Sequence, residues 1–270
     1  MPDAGDFAAQ VLAALDGGRQ VERFSGRVDG FDNGFAYAVT AELRRLRTAR
    51  GEKPIGRKIG FTNRNIWAEY AVFEPIWGDV YDTTFHEMAP GGVIRASHLP
   101  EPRIEPEIVL GIGRDLSAGM SLEEIEASVD WVAHGFEIVQ SIFPGWRFAA
   151  SDCIADGGLH GGLHIGPRHA LQPGQRSGLA AKLAAVELEL SCDGAVMDTG
   201  TGSNVLDGPV QALMHLAKVL DRDAHNPGLR AGEIITTGTL TRAFPVVAGQ
   251  AWSTRVTGGL PLAGLTAEIS

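Results

Sequence analysis

The sequence predicts an α+β protein, a mixed β roll or sandwich carrying a small helical N-terminal part. Three observations carry that prediction. Apolar residues at helical spacing dominate positions 1–50, short β-type runs separated by Gly/Pro turns dominate 51–270, and glycine is plentiful at 35 residues. Even turn spacing with few long helices favours a roll or sandwich over a doubly wound α/β sheet. At 270 residues the chain is long enough for one large domain with ample core. We divide it into a helical segment, 1–50, and a β-rich body, 51–270.

The elements follow in order. GDFAAQVLAALDG (5–17) has helical spacing and stops at Gly17-Gly18. A second helix is expected over 33–48, with Ala36, Val39, Leu43 and Leu46 on one stripe. GEKPIGRKIGFT (51–62) turns strand-like. WGDVYDTT, RIEPEIVLGI, HGFEIVQS, LHIGP, KLAAVELELSCDG, EIITTGTLT and QAWSTRVTG then read as strands. Ser121 and Glu124 make a capping box for a helix from 122 to about 132. Pro209 opens a helix over 209–221, with Val210, Leu213, Leu216 and Leu220 along one side. FPGWRFAASDCIADGGLHGGLHIG (143–166) reads as a polar, glycine-rich loop that can serve as a lid.

Composition excludes several classes. A formal net charge of −10 argues against nucleic acid or an anionic membrane as partner. The N-terminus lacks a basic region followed by an apolar run, and no stretch approaches the ~20 apolar residues of a membrane span. Only Cys153 and Cys192 occur, with no CxxC. That usage fits a reducing cytoplasm and packing roles rather than disulfides or zinc.

The chemistry centres on IEPEIVLGIG (104–113). Glu105 and Glu107 are i and i+2, so on a strand they share a face, and two carboxylates there can converge on a hard cation such as Mg²⁺. Taken alone, an ExE pair is more simply a solvated strand face. Glu137, in the apolar run HGFEIVQS, is the best third carboxylate. Lys58 in GRKIGFT lies in an apolar, Gly-flanked strand, where it can neutralise a bound anion or move a proton, or else snorkel at an edge. Thr239 lies in TTGTLT, which offers N–H and hydroxyl groups to a carboxylate or forms a plain turn. His160 and His164 are four apart, but Gly161 and Gly162 disfavour a helix and no HExxH is present. GIG is not continued to GxGxxG, no phosphate loop follows GGLHGGLHIG, and no GxSxG elbow occurs. Trp67 and Trp77 are aromatic candidates for a pocket or an interface.

KIGFT, PIWGDVYDTT, PRIEPEIVLGIG, FEIVQSIFPGWRF, DCIADGGLHGGLHIG and TTGTLT occur in an order that resembles the 2-keto-4-pentenoate hydratase family of the fumarylacetoacetate hydrolase superfamily, from about residue 35 onward. The resemblance implies a mixed β-sandwich roll with a helical N-terminal part, and Mg²⁺ or Mn²⁺ held by Glu105, Glu107 and Glu137. Lys58 matches the family's site lysine and Arg147 its basic residue after the metal-bearing strand. The implied substrates are 2-hydroxy-dienoates or their 2-oxo tautomers, and a homo-oligomer is expected. Asp156 joins Arg147 and Thr239 as a substrate-binding candidate.

The sequence departs from the family where an Asp precedes an aromatic and a Gly, for here Ile76 stands. Asp79 and Asp82 could replace it as base for water only if the strand presents them inward. The family's Asn-Ala-Ser stretch is replaced by Gly157, Gly158 and Leu159, which leaves His160 as a further acid/base candidate. The leading expectation is a hydratase of 2-oxo-4-enoates in aromatic catabolism. A decarboxylase of 2-oxo-3-enedioates, an acylpyruvate hydrolase using His160 or His134, and a non-catalytic metal-binding scaffold subunit are the alternatives.

Overall fold

The structure is a computed structural model describing residues 3–89 and 91–270. Its helices are α1 (Ala4–Gly17), α2 (Asn33–Ala49), α3 (Trp67–Tyr70), α4 (Leu122–Ser128), α5 (Ala150–Ala155), α6 (Pro173–Arg176), α7 (Leu179–Ala184) and α8 (Pro209–Asp221). Its strands are β1 (Pro54–Gly60), β2 (Ile76–Tyr81), β3 (Phe85–Glu87), β4 (Gly92–Ile94), β5 (Arg103–Ile112), β6 (Val129–Val139) and β7 (His160–Ile165). They continue with β8 (His169–Ala170), β9 (Glu187–Cys192), β10 (Ala195–Thr201), β11 (Ile234–Thr239), β12 (Phe244–Pro245), β13 (Ala251–Thr257) and β14 (Thr266–Ile269).

The expected α+β class, with a helical N-terminal part and mixed sheets, is what the chain adopts. Asp3 and Asp32 start the first two helices by accepting N–H bonds from Gly5 and Phe35. Gly18, in the left-handed region, ends α1. The capping box at Ser121 and Glu124 forms as expected.

Three expectations change. The helix begun at Leu122 stops at Ser128 rather than near 132, because Val129 pairs with Ile112 and the next residues enter the sheet. The first half of KLAAVELELSCDG is α7 and only the second half is β9. Residues 143–166 are not a loop: they hold α5 and the buried strand β7, whose His160 and His164 pair with β6.

The larger sheet runs β2-β1-β11-β5-β6-β7-β3, and the smaller β10-β9-β13-β14-β4. Between them lies the main core, where Ile104, Ile108, Leu110, Phe136 and Ile138 meet Leu188, Leu190, Trp252 and Ile269. Each such side chain contributes about 1.5–3 kcal/mol on burial. Trp77 belongs to this core, fully buried and stacked on Tyr37 at 5.4 Å, so it is not a surface aromatic. The opposite face of the larger sheet curls over a small apolar floor of Val80, Val109, Ala133, Leu163, Ile165 and Ile234. The helices α1 and α2 pack through Phe7, Val11, Val39 and Leu43 onto Ile76, Val139, Phe143 and Ile154. They cover one side of that curled face. No helix among the described residues is long and apolar enough to cross a membrane.

Candidate active site

Strand register builds the site. Glu105 pairs directly with Glu137 and Glu107 with Gly135 across β5 and β6, so the side chains of all three glutamates rise from the curled face. Lys58 on β1 joins them through β11, where it pairs with Thr236, and Thr236 in turn pairs with Val109 of β5. Carboxylate oxygens of Glu105, Glu107 and Glu137 lie within 4.8 Å of one another. Glu107 and Glu137 are fully buried, whereas Glu105 keeps partial exposure.

Each buried carboxylate is fixed on one oxygen only. Between Thr236 and Thr239 the β11 register shifts. The shift brings the Gly238 N–H to Glu107 Oε2 at 2.7 Å, and the Thr236 hydroxyl donates to the same oxygen. Gly238 has φ +104°, and a Cβ there would collide with the Thr62 side chain, so glycine is required. Glu137 Oε1 accepts from His160 Nδ1 at 2.7 Å, and the Thr84 hydroxyl meets His160 Nε2 at 2.9 Å. Glu107 Oε1 and Glu137 Oε2 are buried without a hydrogen-bond partner, the latter 3.4 Å from Lys58 Nζ.

The electrostatics point to a cation. Burial and the neighbouring carboxylates push Glu105 up to about 8 and Glu107 well above the ordinary carboxylate range. Burial opposes the Lys58 ammonium, but Glu137, Glu105 and Glu107 outweigh it and hold the lysine above its usual value. With all three carboxylates ionised, as ligands to a metal would be, the one ammonium leaves two charges uncompensated, the charge of a divalent ion. An all-oxygen donor set with two orphaned buried oxygens fits a hard cation, Mg²⁺ or Mn²⁺. Glu105, Glu107 and Glu137 are the residues that would hold it.

The other expected residues fall into two groups. Thr239 is the strand partner of Glu107 and lies beside the cluster. His160 touches it too, but from behind Glu137, with both ring nitrogens engaged. Burial pushes it down to about 3, so it is neutral, with the Nδ1–H tautomer set by Glu137. Asp79 lies on the opposite face of β2, opposite Arg57, and is paired with Arg44 and with Arg57 at 3.1 Å. Asp82 lies in the turn after β2 and accepts the Lys53 N–H. Asp156 is buried and held by Gln140 and the Ile142 N–H. Arg147 is exposed, with no ion pair to the glutamates among the described residues. His134, paired with Ile108, lies on the inter-sheet face and bonds the Glu107 carbonyl and Thr254.

Ile76 and the Gly157–Gly158 turn also take definite places. Ile76 pairs with Gly60, one same-face step from the Lys58–Gly78 pair, and so adds an apolar wall beside the lysine. A Cβ on Gly78 would collide with the Gly157 carbonyl, and one on Gly158 would stand 2.8 Å from Lys58 Cδ. The glycine turn thus packs directly on the lysine stem. Thr84, Thr236 and Gly238, which position the glutamates, were not singled out from the sequence. Thr236 and Gly238 had a signal in TTGTLT, although they serve the protein's own carboxylate.

A two-sheet roll with a carboxylate triad and a lysine on its curled face defines a divalent-metal site of the oxygen-ligand class. Residues 83–262 match the fumarylacetoacetate (FAA) hydrolase C-terminal family model, and the chain belongs to that family. It is 33% identical to a 2-hydroxyhexa-2,4-dienoate hydratase of Comamonas testosteroni, over 79% of this chain and 78% of that one. It is 30% identical to a 4-oxalocrotonate decarboxylase of a Pseudomonas species, over 81% and 82%. Among solved structures it resembles the 4-oxalocrotonate decarboxylase of Pseudomonas putida G7, complexed with magnesium and adipate. There the TM-score is 0.90 at 26% identity, covering 99% of this chain and 97% of that one.

Proposed function

We propose that the protein is a Mg²⁺- or Mn²⁺-dependent hydro-lyase that adds water to a 2-hydroxy-2,4-dienoate or its 2-oxo-4-enoate tautomer, once proton transfer to C5 has left a C3=C4 bond conjugated with the 2-oxo group so that water adds at C4. The product is a 4-hydroxy-2-oxo acid, formed in the breakdown of aromatic compounds. The observation that carries this reading is the pair of orphaned carboxylate oxygens on Glu107 and Glu137 beside the Lys58 ammonium. When bound there, the metal supplies a Lewis acid for an adjacent carboxylate and 2-oxygen.

The chain's own groups do the rest. Lys58, held protonated by three glutamates, donates to the substrate's oxygens and stabilises negative charge as a proton moves from the dienol oxygen to carbon. His160 and Thr84 orient Glu137, and Thr236 with Gly238 orients Glu107. Thr239 stands beside Glu107 for substrate contact. In this proposal the helical segment is 1–50 and the catalytic roll 51–270. The protein acts as a cytoplasmic homo-oligomer, supported by two free buried cysteines and by the exposed apolar Phe73, Val93, Val196 and Val247.

Ile76 favours one second reading. A water-adding step wants a polar base near the lysine, whereas loss of CO₂ from a 2-oxo-3-enedioate needs only stabilised charge at the 2-oxygen. Product analysis with Mg²⁺ separates the two. The hydratase converts 2-hydroxypenta-2,4-dienoate to the 4-hydroxy-2-oxo acid, and the decarboxylase releases CO₂ from 2-oxo-3-hexenedioate. Absence of both products from the metal-loaded protein would overturn the proposal.

A further inference from the structure

Arg103 has no place in the chemistry above, yet it stands on the same face of β5 as Glu105 and Glu107. By strand geometry its Cα lies roughly 6.5–7 Å beyond that of Glu105, away from Glu107. It is half-buried. Among the described residues it forms no ion pair and no side-chain hydrogen bond, whereas most other half-buried or buried arginines here are paired, such as Arg44 with Asp79 and Arg47 with Glu52. Its guanidinium instead lies 4.0 Å from the centroid of the Trp146 ring, which fixes its plane and leaves its N–H edge free.

Aromatic side chains gather beside Arg103 through its Trp146 partner. Tyr70 stacks on Phe148 at 5.8 Å and packs on Phe61 at 4.7 Å, and Trp146 and Phe148 are 6.0 Å apart. Glu101 is the other nearby acid, but one of its oxygens is taken by the Gly145 N–H at 2.9 Å. An apolar wall with one stacked, unpaired guanidinium at the open end of a carboxylate cluster matches a substrate tail that ends in an anion.

We propose that Arg103 binds a second, distal carboxylate of the substrate, so that this chain selects 2-oxo dicarboxylates over 2-oxo monocarboxylates of equal length. The inference rests on the reading that a 2-oxo acid head is held at the glutamates. It assigns Arg103, rather than Arg147, as the specificity-determining cation. Arginine suits the role because its planar fork matches a carboxylate with two parallel N–H bonds.

The test uses the Mg²⁺-loaded protein and two saturated ligands that offer no C=C for water, 2-oxoadipate and 2-oxohexanoate, with affinities measured by isothermal titration calorimetry. Wild type is expected to bind the diacid roughly tenfold or more tighter, the size of a charge-assisted bidentate pair. Arg103→Gln should bring the two affinities together by weakening the diacid alone, and Arg147→Gln should leave the preference in place. Arg103→Lys should recover part of it. Equal binding by wild type overturns the proposal. So does a preference that survives Arg103→Gln, equal weakening of both ligands in that variant, or loss of the preference in Arg147→Gln instead. Turnover of 2-oxo-enoates without any diacid preference would overturn this inference and leave the proposed function standing. A diacid preference without turnover would do the reverse.

Discussion

Glu105 and Glu137 are direct partners across β5 and β6, with Glu107 one same-face step along. Like charges placed directly opposite each other in a sheet destabilise it, and burial makes this pair worse. Without metal the cluster must hold protons to fold, whereas a bound divalent cation lets all three carboxylates ionise. Mg²⁺ or Mn²⁺ should therefore raise the thermal midpoint, with a stabilisation of about 2.7 kcal/mol at a hundred times the dissociation constant. Glu107→Gln should abolish the metal-dependent part while leaving the metal-free protein about as stable, because burial already favours the neutral form of Glu107 when no metal is bound. A scanning-calorimetry series against metal concentration reads both effects, and a metal shift that persists in Glu107→Gln would refute the site.

His160 is expected to act through Glu137 and not on substrate. Both ring nitrogens are engaged, and burial keeps the ring neutral. His160→Gln should weaken metal binding by roughly 10–100-fold, the usual cost of losing a partner that orients a ligand. At saturating metal the turnover number should stay within about tenfold of wild type. A large loss of kcat with metal affinity unchanged would instead make the imidazole a direct acid or base.

Much of this site was legible in the sequence because strand alternation is a strict rule. Glu105 and Glu107 had to share a face, and Arg103 with them. What the rule could not supply was the partner strand. Nothing local in HGFEIVQS says that Glu137 lies opposite Glu105 rather than Glu107, nor does WGDVYDTT reveal that Asp79 turns toward Arg57 and Arg44, away from Lys58. The stretch 143–166 misled for a different reason. Glycine-rich composition usually means loop, but here Gly157 and Gly158 permit close packing on Lys58 and Gly78, and Gly161 and Gly162 sit in a buried strand. Tertiary approach of backbones overrode local propensity.

The histidines give a pH dependence with a definite sign. His164 is stacked on His86 at 4.7 Å, and burial pushes it down to about 3. Between about 6.5 and 3 the unfolded chain takes up a proton at this residue and the folded one does not. Stability present above pH 6.5 is thus lost as pH falls through that window, at up to ~1.4 kcal/mol per pH unit. Urea unfolding of wild type and His164→Phe between pH 7 and 4.5 checks it. The variant's stability should fall less steeply, and parallel curves would show that the ring already binds its proton in the folded state.

Gly238 is where fold and site meet most tightly. Its positive φ lets the register of β11 shift, and that shift aims its N–H at Glu107 Oε2. Gly238→Ala adds a Cβ where Thr62 already stands, in a backbone region costing an L-residue about 1 kcal/mol or more. The strand must then move or the Thr62 side chain must yield. Either way Glu107 loses a donor and its carboxylate turns. The variant should unfold about 1–3 kcal/mol more easily, and its affinity for Mn²⁺ should drop with that of Glu107→Gln as the limit. Pairing it with Thr62→Ala separates the causes. Relief of the collision should restore part of the stability and part of the metal affinity together, whereas stability recovered without metal affinity would mean that the N–H of residue 238 contributes nothing to holding Glu107.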